Sequence, residues 1–330
     1  MTAPAKTGTS FGPHVLRLPD PDATIAEIAE GMRRAARGFR RRGGVVGLSG
    51  GVDSSVVAAL AARAFGPDNV LGVMMPEADS SEDTLALSRL AAEAAGITTV
   101  LENITPILDG AGAYRRRDEA IRRVVPRYGP GWKVKLVLPS VIESESYRIF
   151  SLVARSPDGE EVKARLPLEA YLQVVAATNF KQRTRKMVEY YHADRLNYVV
   201  LGTPNRLEYD QGFFVKNGDG AADVKPIAHL YKSQVYQLAE VLGVPEEIRS
   251  RPPTTDTYSL PQSQEEFYFS LPYDRMDLCL YAVDHEVPAA EVAAALSLTE
   301  EQVERVFADI ASKRRVSRYL HAAPLLVAET

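Results

Sequence analysis

The chain has 330 residues, 45% hydrophobic and 25% charged, with a formal net charge of −4; that length holds about two domains, or one large α/β domain with additions. A nearly balanced charge argues against a mainly electrostatic nucleic-acid binder, and every apolar run breaks well short of the ~20 residues a membrane span needs. The single cysteine, Cys279, excludes an internal disulfide, a multi-thiolate zinc site and a CxxC redox pair, so a reducing, cytoplasmic address is the expectation.

Residues 1–22 lack the apolar core of a signal peptide and read as a polar, flexible tail. From residue 24 to 42, Ile25, Ile28, Ala29, Met32, Ala35, Ala36 and Phe39 recur at helical spacing, and Gly43-Gly44 stops the helix. Residues 45–48, 70–75 and 98–103 read as buried strands, alternating with helices over 54–65 and 84–95. That alternation implies βαβ units and a doubly wound parallel sheet, whose ligands sit beyond the carboxyl ends of the strands. No clean period runs through residues 110–170, although two β-compatible runs around Ser156-Pro157-Asp158-Gly159 predict an inserted hairpin over about 147–166. A long helix follows over 172–192, then a strand over 198–202 and a helix over 232–242. From residue 271 the chain reads as a helical extension on the α/β core of 23–270. Its last helix opens with the capping box Thr299-Glu300-Glu301-Gln302. The final helix pair imitates a DNA-binding helix-turn-helix, but its apolar faces suit packing on the core.

Between the first strand and its helix lies Ser49-Gly50-Gly51-Val52-Asp53-Ser54-Ser55. Glycines allow close backbone approach, and free amides at a helix start with Ser49, Ser54 and Ser55 make an anion cradle that a pyrophosphate fits. Asp53 beside phosphates calls for a bridging divalent cation, so it is assigned to Mg2+. The segment resembles the pyrophosphate loop of the ATP pyrophosphatases, in which Gly47 also belongs to the ATP-binding set. The loop alone leaves open GMP synthetase, asparagine synthetase, argininosuccinate synthetase, tRNA-modifying enzymes and NAD synthetase.

Four further stretches narrow the choice: Asn179-Phe180-Lys181-Gln182-Arg183-Thr184-Arg185-Lys186-Met187, Leu201-Gly202-Thr203-Pro204-Asn205-Arg206-Leu207-Glu208, the run from Gly212 through Gly218-Asp219-Gly220-Ala221-Ala222-Asp223, and Pro252-Pro253-Thr254-Thr255-Asp256. In order and spacing they resemble the NAD synthetase family. The resemblance implies ATP as co-substrate, with Thr203, Lys232 and Thr254 joining the loop in ATP binding. It implies Mg2+ on Asp53, Glu208 and Thr254, and catalytic roles for Asp53, Lys216 and Lys232. Asn179, Arg183, Phe213, Lys216, Asp219 and Asp223 would face deamido-NAD.

Cys279 lies in an apolar run and reads as a core thiol, so no glutaminase nucleophile is present and ammonia must come free or from a separate protein. The family resemblance also implies a homodimer. None of the five scattered histidines reads as catalytic. Pro204, Ala221 and Tyr231 depart from the family pattern in ligand-facing loops, and the hairpin adds material near the second substrate. These departures keep an alternative open, an AMP-forming amide ligase acting on another carboxylic acid. A tRNA-thiolating enzyme is disfavoured by the missing cysteines. A non-catalytic nucleotide sensor predicts lost metal ligands, whereas Asp53 and Glu208 are both present.

Overall fold

The computed structural model describes residues 11–138, 150–254, 257–269 and 271–327. In chain order it holds α1 (Pro21–Gly38), β1 (Gly44–Leu48), α2 (Val52–Phe65), β2 (Val70–Met74), α3 (Glu82–Ala95), β3 (Thr98–Leu101), α4 (Thr105–Gly110) and α5 (Ala113–Arg122). Next come β4 (Lys133–Val137), β5 (Ser151–Arg155), β6 (Glu161–Arg165), α6 (Leu168–Leu196), β7 (Val199–Leu201) and α7 (Arg206–Gln211). The chain closes with α8 (Lys232–Val241), α9 (Glu246–Arg249), α10 (Tyr273–Asp284), α11 (Ala289–Leu296) and α12 (Glu300–His321).

Strands β3-β2-β1-β7 form one wholly parallel sheet in that order. Val45, Val46, Val70, Val73, Val199 and Val200 are almost fully buried, as expected where helices cover both faces of a parallel sheet. The chain leaves β1 toward β2 on one side and returns as β7 on the other, so the order reverses between β1 and β7. Loops leaving those two strands therefore diverge and open a crevice.

The expected hairpin is β5 and β6, paired antiparallel from Ser151↔Arg165 to Arg155↔Glu161 about the turn Ser156–Gly159. Its first expected residues, 147–149, lie outside the described residues, as do 255 and 256. The insertion is larger than a hairpin, because β4 pairs along β5 and makes a three-stranded sheet. This sheet has its own core: Leu136, Leu152 and Ala154 pack with Ala120 and Ile121 of α5, Val174 of α6 and Tyr258. Helix α5 also falls where no period was visible. Its buried residues Ala113, Arg117, Ala120 and Ile121 do keep helical spacing, but an arginine stands where an apolar residue is expected.

The C-terminal helices form another core with Leu16 and Leu207. Residues 11–20 therefore depart from the expected loose tail. Leu16 is buried, Leu18 N donates to Gln237 Oε1 at 2.9 Å, and Gln237 Nε2 donates to Leu16 O at 3.0 Å. Cys279 is fully buried in this core, and burial pushes its thiol up to about 12, as suits a core thiol. Among the described residues no helix is long and apolar enough to cross a membrane.

Candidate active site

The crevice at the sheet's switch point is a cavity of about 930 Å³, lined from the β1 and β7 exits, α6, the loop after α7 and the segment from Arg251 to Gln264. The loop after β1 turns at Gly50, whose φ of +72° favours glycine, and a Cβ there would stand 2.9 Å from Thr84 O. Gly51 is the N-cap of α2 and no side chain caps that helix, so the first amides of α2 face the cavity with the positive end of the helix dipole. The serines pre-shape the loop: Ser54 Oγ donates to Gly51 O at 3.0 Å and accepts from Ser49 N at 3.3 Å, and Ser55 Oγ donates to Gly51 O at 2.9 Å.

Three charged groups meet beyond this loop. Asp53, in the first turn of α2, forms an ion pair with Lys232 Nζ, the first residue of α8. Asn205, leaving β7, donates from Nδ2 to Asp53 Oδ1 at 3.1 Å. It also caps α7, accepting from Glu208 N at 3.2 Å, while Asn205 N donates to Glu208 Oε2 at 3.2 Å. Asn205 thus sets both carboxylates relative to each other. Gln264 Nε2 completes the shell, donating to Glu208 Oε1 at 2.9 Å.

The electrostatics follow from this packing. Burial, then the neighbouring Asp53 charge, pushes the Glu208 carboxyl up to about 7 against the pull of Lys232. Lys232 is 2% exposed, which disfavours its charge, yet Asp53 and Glu208 outweigh burial and hold the ammonium more firmly protonated than usual. Two close carboxylates sharing one cation attract a further one. Among the described residues no three His, Cys, Asp or Glu side chains could hold a metal by themselves, so a divalent ion here would complete its shell with other oxygens, from water or a bound phosphate.

The other residues singled out from the sequence divide by position. Ser49, Gly50, Gly51, Ser54, Thr203, Thr254, Asn179, Arg183, Phe213, Lys216 and Asp219 line the same cavity as Asp53, Glu208 and Lys232. Gly47, Ser55 and Asp223 are not in its lining. Gly47 lies behind the loop, where a Cβ would stand 2.7 Å from Glu189 Oε1. Asp223 fastens β7, accepting from Val200 N at 2.7 Å and from the Tyr190 hydroxyl at 3.1 Å. Asp219 Oδ1 accepts from Val215 N at 2.8 Å, and burial raises its carboxyl above the usual range. Lys216 Nζ donates to the carbonyls of Tyr319 at 2.7 Å and Ala322 at 3.1 Å, tying its loop to the end of α12. Thr254 enters through a β-bridge with Ser263.

Reading the sequence for roles missed Asn205 and Gln264. Asn205-x-x-Glu208 is a capping-box spacing and could have been read as one. Gln264 carries no such signal, because only the long-range path of its segment brings it to Glu208.

A parallel sheet with an uncapped, glycine-turned helix start, paired carboxylates and a buried ammonium at its switch point defines an α/β nucleotide-binding protein. The NAD synthase family model matches residues 24–123 and 140–318, and the chain belongs to that family. It is 61% identical over 317 residues to the "NH(3)-dependent NAD(+) synthetase" of Rhizobium meliloti (strain 1021), covering 96% of this chain and 95% of the relative. It is 35% identical over 247 residues to the protein of the same name from Thermotoga maritima, covering 74% and 82%. Among solved structures, the fold is similar to an NMN synthetase from Francisella tularensis (TM-score 0.64, 22% identity, 93% and 98% covered). It is also similar to an NH3-dependent NAD synthetase from Campylobacter jejuni (TM-score 0.62, 20% identity, 94% and 100% covered).

Proposed function

We propose that the protein is an ammonia-dependent NAD synthetase, an ATP-dependent amide-forming ligase that adenylates the nicotinate carboxylate of deamido-NAD and lets ammonia displace AMP, releasing pyrophosphate. The observation that carries this reading is the convergence of the residue 49–55 loop, Asp53, Glu208 and Lys232 in one cavity at the switch point. The relatives at 58–61% identity favour deamido-NAD over another carboxylic acid.

In this reading the α2 amides with Ser49 and Ser54 receive the departing pyrophosphate, Ser55 shapes the loop from behind, and Lys232 places a fixed positive charge where charge develops at phosphorus. The donor set suits Mg2+, held by Asp53 and Glu208 with phosphate oxygens and approached by Thr254; such an ion would neutralise the phosphate charge. Thr203 joins the ATP side. Asn179, Arg183, Phe213, Asp219 and Lys216 form the deamido-NAD side, and Lys216 must leave the α12 carbonyls to touch substrate. Asp223 and Gly47 serve by fixing β7 and the back of the loop. The proposed organisation is an ATP pyrophosphatase-like unit over 23–270 and a helical extension over 271–330.

A cytoplasmic location and a homodimer belong to the same proposal. Leu172 of α6 and Val316 and Tyr319 of α12 ring the cavity mouth yet are 55%, 70% and 72% exposed, which suits a second copy closing over it. The test is a coupled assay with Mg-ATP, ammonium and deamido-NAD. NAD and pyrophosphate are expected in equal amounts, and neither with Asp53→Ala. Pyrophosphate formed only with a different carboxylic acid would overturn the substrate assignment.

A further inference from the structure

Lys181 has no part in the chemistry above, yet its buried ammonium meets three acceptors. Its side chain is 3% exposed, and its ammonium has three donors. Nζ meets Glu77 Oε1 at 2.9 Å, Asp79 Oδ2 at 2.7 Å and Thr257 O at 2.9 Å. A buried charge so completely satisfied imposes a geometry, because loss of any partner leaves an unpaired group in a dry site.

The three acceptors come from two segments far apart in sequence. Glu77 and Asp79 follow β2, in a stretch whose Pro76, Ser80 and Ser81 line the cavity. Further bonds brace that stretch: the Tyr114 hydroxyl donates to Glu77 Oε2 at 2.8 Å, and Arg117 pairs with Asp79. Thr257 begins the segment that reaches Gln264, and Gln264 Nε2 holds Glu208 at 2.9 Å. The far side of this segment rests on the edge strand of the inserted sheet. Leu260 N donates to Val134 O at 3.0 Å, Val134 N donates to Ser259 Oγ at 2.9 Å, and Gln262 Nε2 donates to Leu136 O. The segment from Thr257 to Gln264 is therefore fastened at one end by Lys181 and along its middle by β4.

We propose that Lys181 is a positioning residue: its ammonium fixes the post-β2 segment and the Thr257–Gln264 segment to α6, and with β4 it sets the place of Gln264 and hence of Glu208. The inserted sheet then acts as the outer support of the ATP side of the cavity. The inference rests on the ligase reading for its kinetic test, but the fastening itself can be measured without activity.

Lys181→Gln removes the charge and one of the three donors, and sets an acceptor oxygen among the carboxylates. The segment is then ordered only at the expense of substrate binding, so KM for MgATP is expected to rise about tenfold while kcat falls less than about threefold. Backbone amides of residues 257–264 are expected to exchange hydrogen faster by at least about tenfold, with β1 and β2 unchanged. A merely structural role would lower the active fraction and leave KM where it was, and that result, or unchanged exchange at 257–264, overturns the proposal. Should Lys181→Gln fail to fold, Gln262→Ala removes one of the three bonds that hold the same segment on β4 and leaves the ion cluster intact. KM for MgATP must then rise at least about threefold, and an unchanged KM overturns the proposal. A wild-type protein that makes no NAD defeats the ligase reading, while the exchange measurement still decides the fastening.

Discussion

Lys232 is the residue on which the site's charge balance turns. It neutralises Asp53 directly and lies in the field of Glu208, so Lys232→Met leaves two close carboxylates without their resident cation. The expected outcome is a fall in kcat of about 10²–10³, with NAD and pyrophosphate lost together in the coupled assay. Glu208 gives a second prediction. With its free-state pKa near 7, the carboxyl holds a proton below that pH, and a proton and a metal compete for the same oxygens. Calorimetric titration should show wild-type affinity for MgATP weakening as pH falls from about 8 to 6, relative to a weak and pH-insensitive Glu208→Gln. Parallel pH curves for the two proteins would remove Glu208 from the metal site. That Asp53, Glu208 and Lys232 come together in one cavity was expected from the sequence, because each sits in a motif at a strand or helix end. Lys181 lies within such a motif, but the motif gives no sign of the burial of its ammonium. Its partners Glu77, Asp79 and Thr257 come from other parts of the chain, and burial of a lysine runs against the expectation that it is solvated.

At the scale of elements, the start of α8 shows how a departure from the family pattern is accommodated. Tyr231 stands where threonine is common and could cap the helix; here Tyr231 N donates to Gln234 Oε1 at 3.1 Å instead. Asp277 of α10 supplies the missing acceptor, with Oδ2 accepting from Ser233 N and from Ser233 Oγ, each at 2.7 Å. Asp277 is fully buried, and burial pushes its carboxyl up to about 6 against the bonds from Ser233 and the Lys232 backbone. The folded state then binds more protons than the unfolded state between about pH 4 and 6. Stability from this group is full below that window and is lost as pH rises through about 6, by up to about 3 kcal/mol. Denaturant melts of wild type and Asp277→Asn should diverge in slope across that window and run parallel above it. The doubly wound pattern and the hairpin were readable because turn residues and apolar runs mark them. Strand β4 was not, since Lys133-Val134-Lys135-Leu136-Val137 is short with two of its five residues charged, and it is fixed as a strand by lying along β5.

For the whole molecule, apolar side chains stand exposed beside the cavity mouth. On α6, Leu168, Leu172, Met187 and Tyr191 are exposed, and Leu172, Val316 and Tyr319 flank the cavity itself. A homodimer through this face predicts a dimer mass in sedimentation equilibrium. Met187→Glu with Tyr191→Glu should shift it to monomer and reduce NAD formation. A wild-type monomer at micromolar concentration would defeat the assignment. No such face was legible beforehand, because single exposed apolar residues look alike until the fold groups them.

The order of the sheet also bears on how the protein is made. Strand β7 pairs with β1 across roughly 150 intervening residues (Gly44↔Val199), whereas β1, β2 and β3 pair with near neighbours. On a growing chain the first three strands can associate early, but the crevice has only one wall until β7 arrives, and Asp53 waits for Lys232 beyond it. Pairing of Asp53 with Lys232 is thus expected late in folding. Refolding followed by far-ultraviolet circular dichroism should run ahead of the return of pyrophosphate release.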